Sequence, residues 1–186
     1  MKRSLLLVCM TLALGACVTH IKPTVTQNPP PTEPLASFQH FKLMPLEASA
    51  DAKGDSDALQ KIEGNLREKL LPVISGWESQ GAAGRTLQIE PVVTQLKFVS
   101  GGARFWGGAF AGSSAVVMNL RLVDAATGKI VANPEFYQRA AAMGGAYTFG
   151  GSDKGMLVRI ATVSQEYLQR NYQQAVGGPT GLEEAK

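Results

Sequence analysis

SAVVMNLRLVDAATGKIVANPEFYQRAAA, residues 114–142, reads as two strands joined by a tight turn. Val116, Met118, Leu120 and Leu122 alternate with Val117, Asn119 and Arg121, the period-two pattern of a strand with one buried face, over Ser114–Asp124. Ala125-Ala126-Thr127-Gly128 then supplies a hairpin turn, with Gly128 suited to the positive φ such turns require. A second strand, Lys129–Ala142, pairs back on the first. It contains Pro134, which has no N–H and so marks an edge or a bulge.

Working outward, a strand over Thr86–Val99 carries Leu87, Ile89 and Val93 on one parity and Leu96 and Phe98 on the other. That switch predicts a bulge, and Pro91 predicts an edge or irregular position. An earlier strand covers Phe38–Leu46, with Phe41 and Leu43 inward and His40 and Lys42 outward. Between them, Ser56 or Asp57 caps a helix whose Leu59, Ile62, Leu66 and Leu70 form one apolar face. Pro72 is expected to end or kink it, with Trp77 packed under the corner. A last helix starts at Ser152 or Asp153 and runs to about Tyr172, with Met156, Ile160, Val163 and Tyr167 along one side. The order β-α-β-β-β-α predicts an α+β, two-layer domain over residues 35–175. Its mostly antiparallel sheet has about four strands, with both helices on one face. Residues 176–186 read as a disordered tail.

The chain begins MKRSLLLVCMTLALGAC. Lys2 and Arg3 precede an apolar stretch from Leu5 to Leu14, too short to span a bilayer and laid out as an export signal. Leu14-Gly15-Ala16-Cys17 resembles the lipobox of bacterial lipoproteins. The resemblance implies that residues 1–16 are a signal peptide, that the Cys17 thiol carries diacylglycerol, and that its freed amine carries a further acyl chain such as palmitate. The competing reading is an ordinary cleaved signal, with Ala13 and Gly15 as its small residues. In lipoprotein sorting an Asp after the cysteine retains the protein in the inner membrane. Val18 stands there, which implies the outer membrane, facing the periplasm. Residues 18–34 hold five prolines and read as an extended tether, up to roughly 50 Å at about 3.1 Å per residue.

Removal of residues 1–16 takes Lys2 and Arg3 with it, so the 18 basic residues become 16 against 15 acidic ones. Near-neutral charge and an export address argue against nucleic acid. Cys9 leaves with the signal and Cys17 carries lipid, so the folded domain has no thiol for a disulfide, a metal or a nucleophile. Catalysis has little else to use. The two histidines fall in the tether and on the polar side of a strand, and Gly112-Ser113-Ser114-Ala115 lacks the second glycine of a nucleophile elbow. Glu90 and Asp124 are the carboxylates that could pair across strands. No enzyme activity, cofactor or metal is expected.

Half of the 20 glycines lie in residues 100–114 (SGGARFWGGAFAGSS) and 144–155 (GGAYTFGGSDKG). The first carries Arg104, Phe105, Trp106 and Phe110, the second Tyr147 and Phe149. They flank one hairpin, so they are expected side by side at one end of the sheet. Three roles are open: turns and core completion, an apolar contact patch for a partner or the membrane with Arg104 at its rim, or an anion cradle of glycine amides. No Gly-x-Gly-x-x-Gly occurs, and Ser113 stands where a P-loop needs Lys. The run GGARFWGGAFAGSSAVVMNLRLVDAATGKIV resembles the core of a family of bacterial lipoproteins of unknown function. The shared features are Gly101–Gly112 and the turn residues Asp124, Thr127, Gly128 and Lys129. That resemblance implies an envelope location and no activity.

The expectation is a lipid-anchored outer-membrane lipoprotein of the periplasm, a non-catalytic binding or assembly module of a cell-envelope complex. It contacts an envelope protein partner, or the membrane, through Arg104, Phe105, Trp106, Phe110, Tyr147 and Phe149. The alternative is a small-ligand or lipid-binding lipoprotein with an apolar pocket between sheet and helices.

Overall fold

A computed structural model describes residues 21–78, 83–98, 114–140 and 151–182, the first three positions of the last span by backbone alone. The elements run β1 (Gln27–Asn28), β2 (His40–Leu43), β3 (Glu47–Ala48), α1 (Ser56–Trp77), β4 (Thr86–Lys97), β5 (Ala115–Asp124), β6 (Ile130–Ala132), β7 (Glu135–Arg139), α2 (Gly151–Arg170) and β8 (Gly178–Pro179). The protein is α+β, but its main sheet is larger than expected and mixed. Six strands join, with β4 between β2/β3 and β5, and β5 between β4 and β6/β7. β2 and β3 run parallel to β4, and the other pairings are antiparallel. The parallel pairing follows from α1. A long helix between β2 and β4 carries the chain back to its starting end, so the next strand points the same way.

β4 lies inside the sheet, and Pro91 is not at an edge. β2 ends opposite Ile89 and β3 begins opposite Val92, which leaves a gap beside Glu90 and Pro91. Leu120, the β5 partner of Pro91, donates its N–H away from it, to the Pro134 carbonyl at 3.0 Å. The missing Pro91 N–H therefore faces the gap, where no ladder bond is lost. The predicted bulge is present between Val93 and Gln95. Pro134 splits the return strand into β6 and β7, and Gly128 takes φ 70° in the turn.

Asp55, rather than Ser56 or Asp57, caps α1, its carboxylate accepting from the Ala58 N–H at 3.0 Å. The helix also continues through Pro72 to Trp77. Ala58, Ile62, Leu66, Leu70 and Ile74 keep one buried face across the proline, while Pro72 itself is exposed, on the side where water can reach the carbonyl it leaves without a donor. Each large side chain on that face contributes about 1.5–3 kcal/mol by burial. Opposite, Val116, Met118, Leu120 and Leu122 of β5 are fully buried, and Met156, Ile160, Val163 and Tyr167 complete the same core from α2.

The proline-rich segment is not a free tether from Ile21 onward. Ile21 is buried against Ala115, Val117 and Tyr137 on the sheet face away from the helices. Asn28 mimics a strand partner for Glu135: its Nδ2 donates to the Glu135 carbonyl at 2.8 Å, and its Oδ1 accepts from the Glu135 N–H at 2.7 Å. The Glu135 carboxylate in turn accepts from the Thr24 N–H and hydroxyl. Thr32 donates to the Val131 carbonyl, and Leu35 is fully buried. The start of the expected tail is also part of the fold. β8 pairs antiparallel with β1, Thr180 accepts from the Tyr137 N–H at 2.8 Å, and Asn171 ties α2 to Val176 and Gly177. Gly177, at φ 74°, passes so near the Asn28 carbonyl that no Cβ fits. Proline fixes φ without forbidding packing, so a proline-rich strip serves as a strap when neighbouring backbone groups can accept it.

Asn28→Ala leaves two buried Glu135 backbone groups without partners and is expected to cost about 2 kcal/mol in urea unfolding. An unchanged midpoint would mean that the strap contributes nothing to stability.

Candidate functional site

The expected contact residues Arg104, Phe105, Trp106, Phe110, Tyr147 and Phe149 lie outside the described residues, as does Cys17. The chain on either side of the two glycine-rich segments is described. Lys97 pairs with Ala115, and Ala115 with Arg139, while Ala140 donates to the Ser114 carbonyl at 2.9 Å. Residues 99–113 and 141–150 therefore join the sheet at three adjacent strand ends. Arg159 of α2 buttresses that end, donating to Gln138 Oε1 at 2.9 Å and to the Arg139 carbonyl at 3.0 Å. Ile21 meets the same end, where burial pushes the Tyr137 phenol up. Next to it is an open groove of about 500 Å³ lined by Ile21, Asp51 and Thr94–Lys97.

The opposite end is built around Arg85. Its guanidinium donates to both Glu33 oxygens, at 2.7 and 2.9 Å, and to Asp124 Oδ2 at 2.6 Å, and it lies 4.2 Å from the centre of the Phe38 ring. Hydrogen bonds from Arg85 hold the Glu33 and Asp124 carboxyls below their usual range, and the two carboxylates hold Arg85 up. Asp124 also accepts from the Ala126 and Thr127 N–H groups and so fixes the β5–β6 turn. Asp124 is thus occupied by Arg85, while Glu90 meets Arg121 at 3.3 Å, so the two carboxylates do not pair with each other.

His40 has a carboxylate neighbour, but on the surface. Its Nδ1 lies 2.6 Å from Glu78 Oε1, and Glu78 Oε2 accepts from the Phe41 N–H at 3.0 Å. These two contacts, the His40 hydrogen bond first, lower the Glu78 carboxyl. Beside this pair Trp77 stacks on Tyr172 with centroids 4.1 Å apart, and Phe41 meets Trp77 edge-on at 5.5 Å. The arrangement staples β2 to the C-terminal ends of both helices. Among the described residues no three His, Cys, Asp or Glu side chains converge to hold a metal, and no helix is long and apolar enough to cross a membrane.

Sequence reasoning missed Ile21, Asn28, Glu33 and Arg85. Each acts through a partner more than 35 residues away in the chain, and none sits in a local pattern that would mark it. The one available signal was Ile21 itself, a large apolar residue isolated in a run expected to be solvated.

In comparisons with solved structures, the chain is similar to the PelC dodecamer of Paraburkholderia phytofirmans, at 15% identity over 74% of this chain and 96% of that one, TM-score 0.44. It is also similar to a candidate lipoprotein from Caulobacter crescentus CB15, at 14% identity over 73% and 90%, TM-score 0.37. A Xanthomonas campestris protein assigned to a family of unknown function matches at 13% identity over 87% and 96%, TM-score 0.39. No family model and no curated protein matches the sequence.

Because Glu33 and Asp124 are depressed below their ordinary 4.5 and 3.8, their contribution is complete above those values. It is lost as pH falls through the lower folded values. Urea midpoints measured from about pH 6 to about pH 3 are therefore expected to fall more steeply for the native chain than for Arg85→Met, which removes the partner of both. Equal slopes would show that this cluster does not carry the acid sensitivity.

Proposed function

We infer that the protein is a lipid-anchored envelope lipoprotein at the periplasmic face of the outer membrane, acting without catalysis as a binding or assembly module. The observation that carries the reading is the position of Cys17 in a lipobox-like run four residues before Ile21, which is packed on the sheet. The signal segment and lipobox supply the membrane, and Val18 favours the outer one. A binding role draws on the convergence of Lys97, Ala115 and Arg139, which gathers the ends of both aromatic-bearing segments at one place. A partner surface at that end would use Phe105, Trp106, Phe110, Tyr147 and Phe149, with Arg104 at its rim.

The ligand-binding alternative asks for an apolar cavity between sheet and helices. Over the described residues that layer is filled by fully buried side chains, including Ile62, Leu66, Leu70, Met118, Leu120 and Ile160, which weighs against a cavity there. The non-catalytic reading rests on the residue inventory: one histidine in the domain and no thiol after Cys17.

Cys17→Ala is expected to move the protein from the membrane fraction to the soluble periplasm. Retention in membranes would show that something other than lipid holds it. In crosslinked pull-downs, a Phe105/Trp106/Phe110→Ser triple variant is expected to lose partners that the native protein recovers. Equal recovery would exclude this segment as the contact.

A further inference from the structure

We propose that the lipid anchor fixes the orientation of the domain, holding the end where β4 finishes and β5 begins against the bilayer and turning the Arg85–Asp124 end away from it. The proposal rests on the reading that Cys17 is lipidated and adds what the fold does with that anchor. Only three residues separate Cys17 from Ile21, and the four steps between them, at most ~3.6 Å each, reach about 14 Å. Ile21 is 7% exposed and packed on Ala115, Val117 and Tyr137, so the leash cannot draw on further chain without opening that contact.

From Ile21 the strap runs away from the anchored end. It meets Glu135 through Thr24 and Asn28, then Val131 through Thr32, then Arg85 through Glu33. Its course follows the length of the sheet. At ~3.3 Å per residue, the 12 residues of β4 span about 40 Å, nearly three times the reach of a leash of about 14 Å. A free tether of residues 18–34 would have let the domain tumble at a distance. The folded strap leaves it one end to stand on. Asp51 and Lys97 line the groove beside Ile21, and Arg139 and Arg159 stand at the same end of the sheet. Both glycine-rich segments leave the sheet from the same end.

The mature chain has no cysteine after Cys17, so one introduced thiol can be labelled alone. The test uses the full-length lipidated protein, with Lys53→Cys at the near end or Lys129→Cys at the far end, each carrying an environment-sensitive fluorophore. The protein is reconstituted in vesicles of phosphatidylethanolamine and phosphatidylglycerol containing a headgroup-labelled quencher lipid. Quenching is expected to be several-fold stronger at Lys53→Cys than at Lys129→Cys. A long Gly/Ser insertion between Val18 and Thr19 is expected to reduce the Lys53→Cys signal while vesicle binding is kept. Equal quenching at both positions in protein whose mass shows acylated Cys17 overturns the orientation and leaves the lipidation reading standing. Quenching unchanged by the insertion also overturns it, since the leash would not be what holds that end. Mass spectrometry showing an unmodified Cys17 overturns both readings together.

Discussion

β5 is the strand on which the rest of the molecule depends, because both of its faces and both of its edges are in use. Val116, Met118, Leu120 and Leu122 face α1 and α2, and all are fully buried. Ala115 and Val117 on the other face receive Ile21 and Tyr137. Its edges pair with β4 along almost its whole length and with β6 and β7. A one-residue slip of this strand would turn its apolar face to the strap and its mixed face to the helices, so its register sets every other contact. Asp124, at its end, extends that control to the turn and to Arg85.

Two kinds of interaction hold the second layer on this frame. Helices on one face are held by apolar area, which is tolerant of detail. The strap and the chain after α2, on the other side, are held by directional hydrogen bonds that borrow backbone groups left at the sheet edge. Asn28 takes both groups of Glu135, Thr180 takes the Tyr137 N–H, and Asn171 gathers Val176 and Gly177. These bonds close the β7 edge, which would otherwise offer unpaired donors and acceptors. They also use up the chain between the expected anchor and the domain.

Much of the fold was legible because periodicity is local. The β5 alternation, the turn at Gly128, the bulge after Val93 and both helices were visible in residue spacing. The errors came from chemistry that is local in sequence but decided by neighbours. Pro91 was expected at an edge or an irregular position, and it takes the second: the gap between β2 and β3 removes the need for its N–H. Pro72 was expected to end or kink the helix; it does not end it, because the buried face from Leu66 to Ile74 outweighs one missing hydrogen bond. Four strands became six because Pro134 splits the return strand into β6 and β7, and because β3, at two residues, is too short to show an alternation of its own.

Residue identity and short-range spacing were enough for the α+β class, for the absence of cysteine after residue 17, and for the expectation of an export signal ending in a lipobox-like run at Cys17. These depend on residue identity and on spacings of a few residues, which need no partner to be read. Tertiary structure alone decided the parallel β2–β4 pairing, the Glu33–Arg85–Asp124 cluster and the conversion of a proline-rich run into a strap. Each joins groups tens of residues apart, and their energy comes from hydrogen bonds and burial that exist only once the sheet has assembled. No local pattern encodes which distant carbonyl Asn28 will meet.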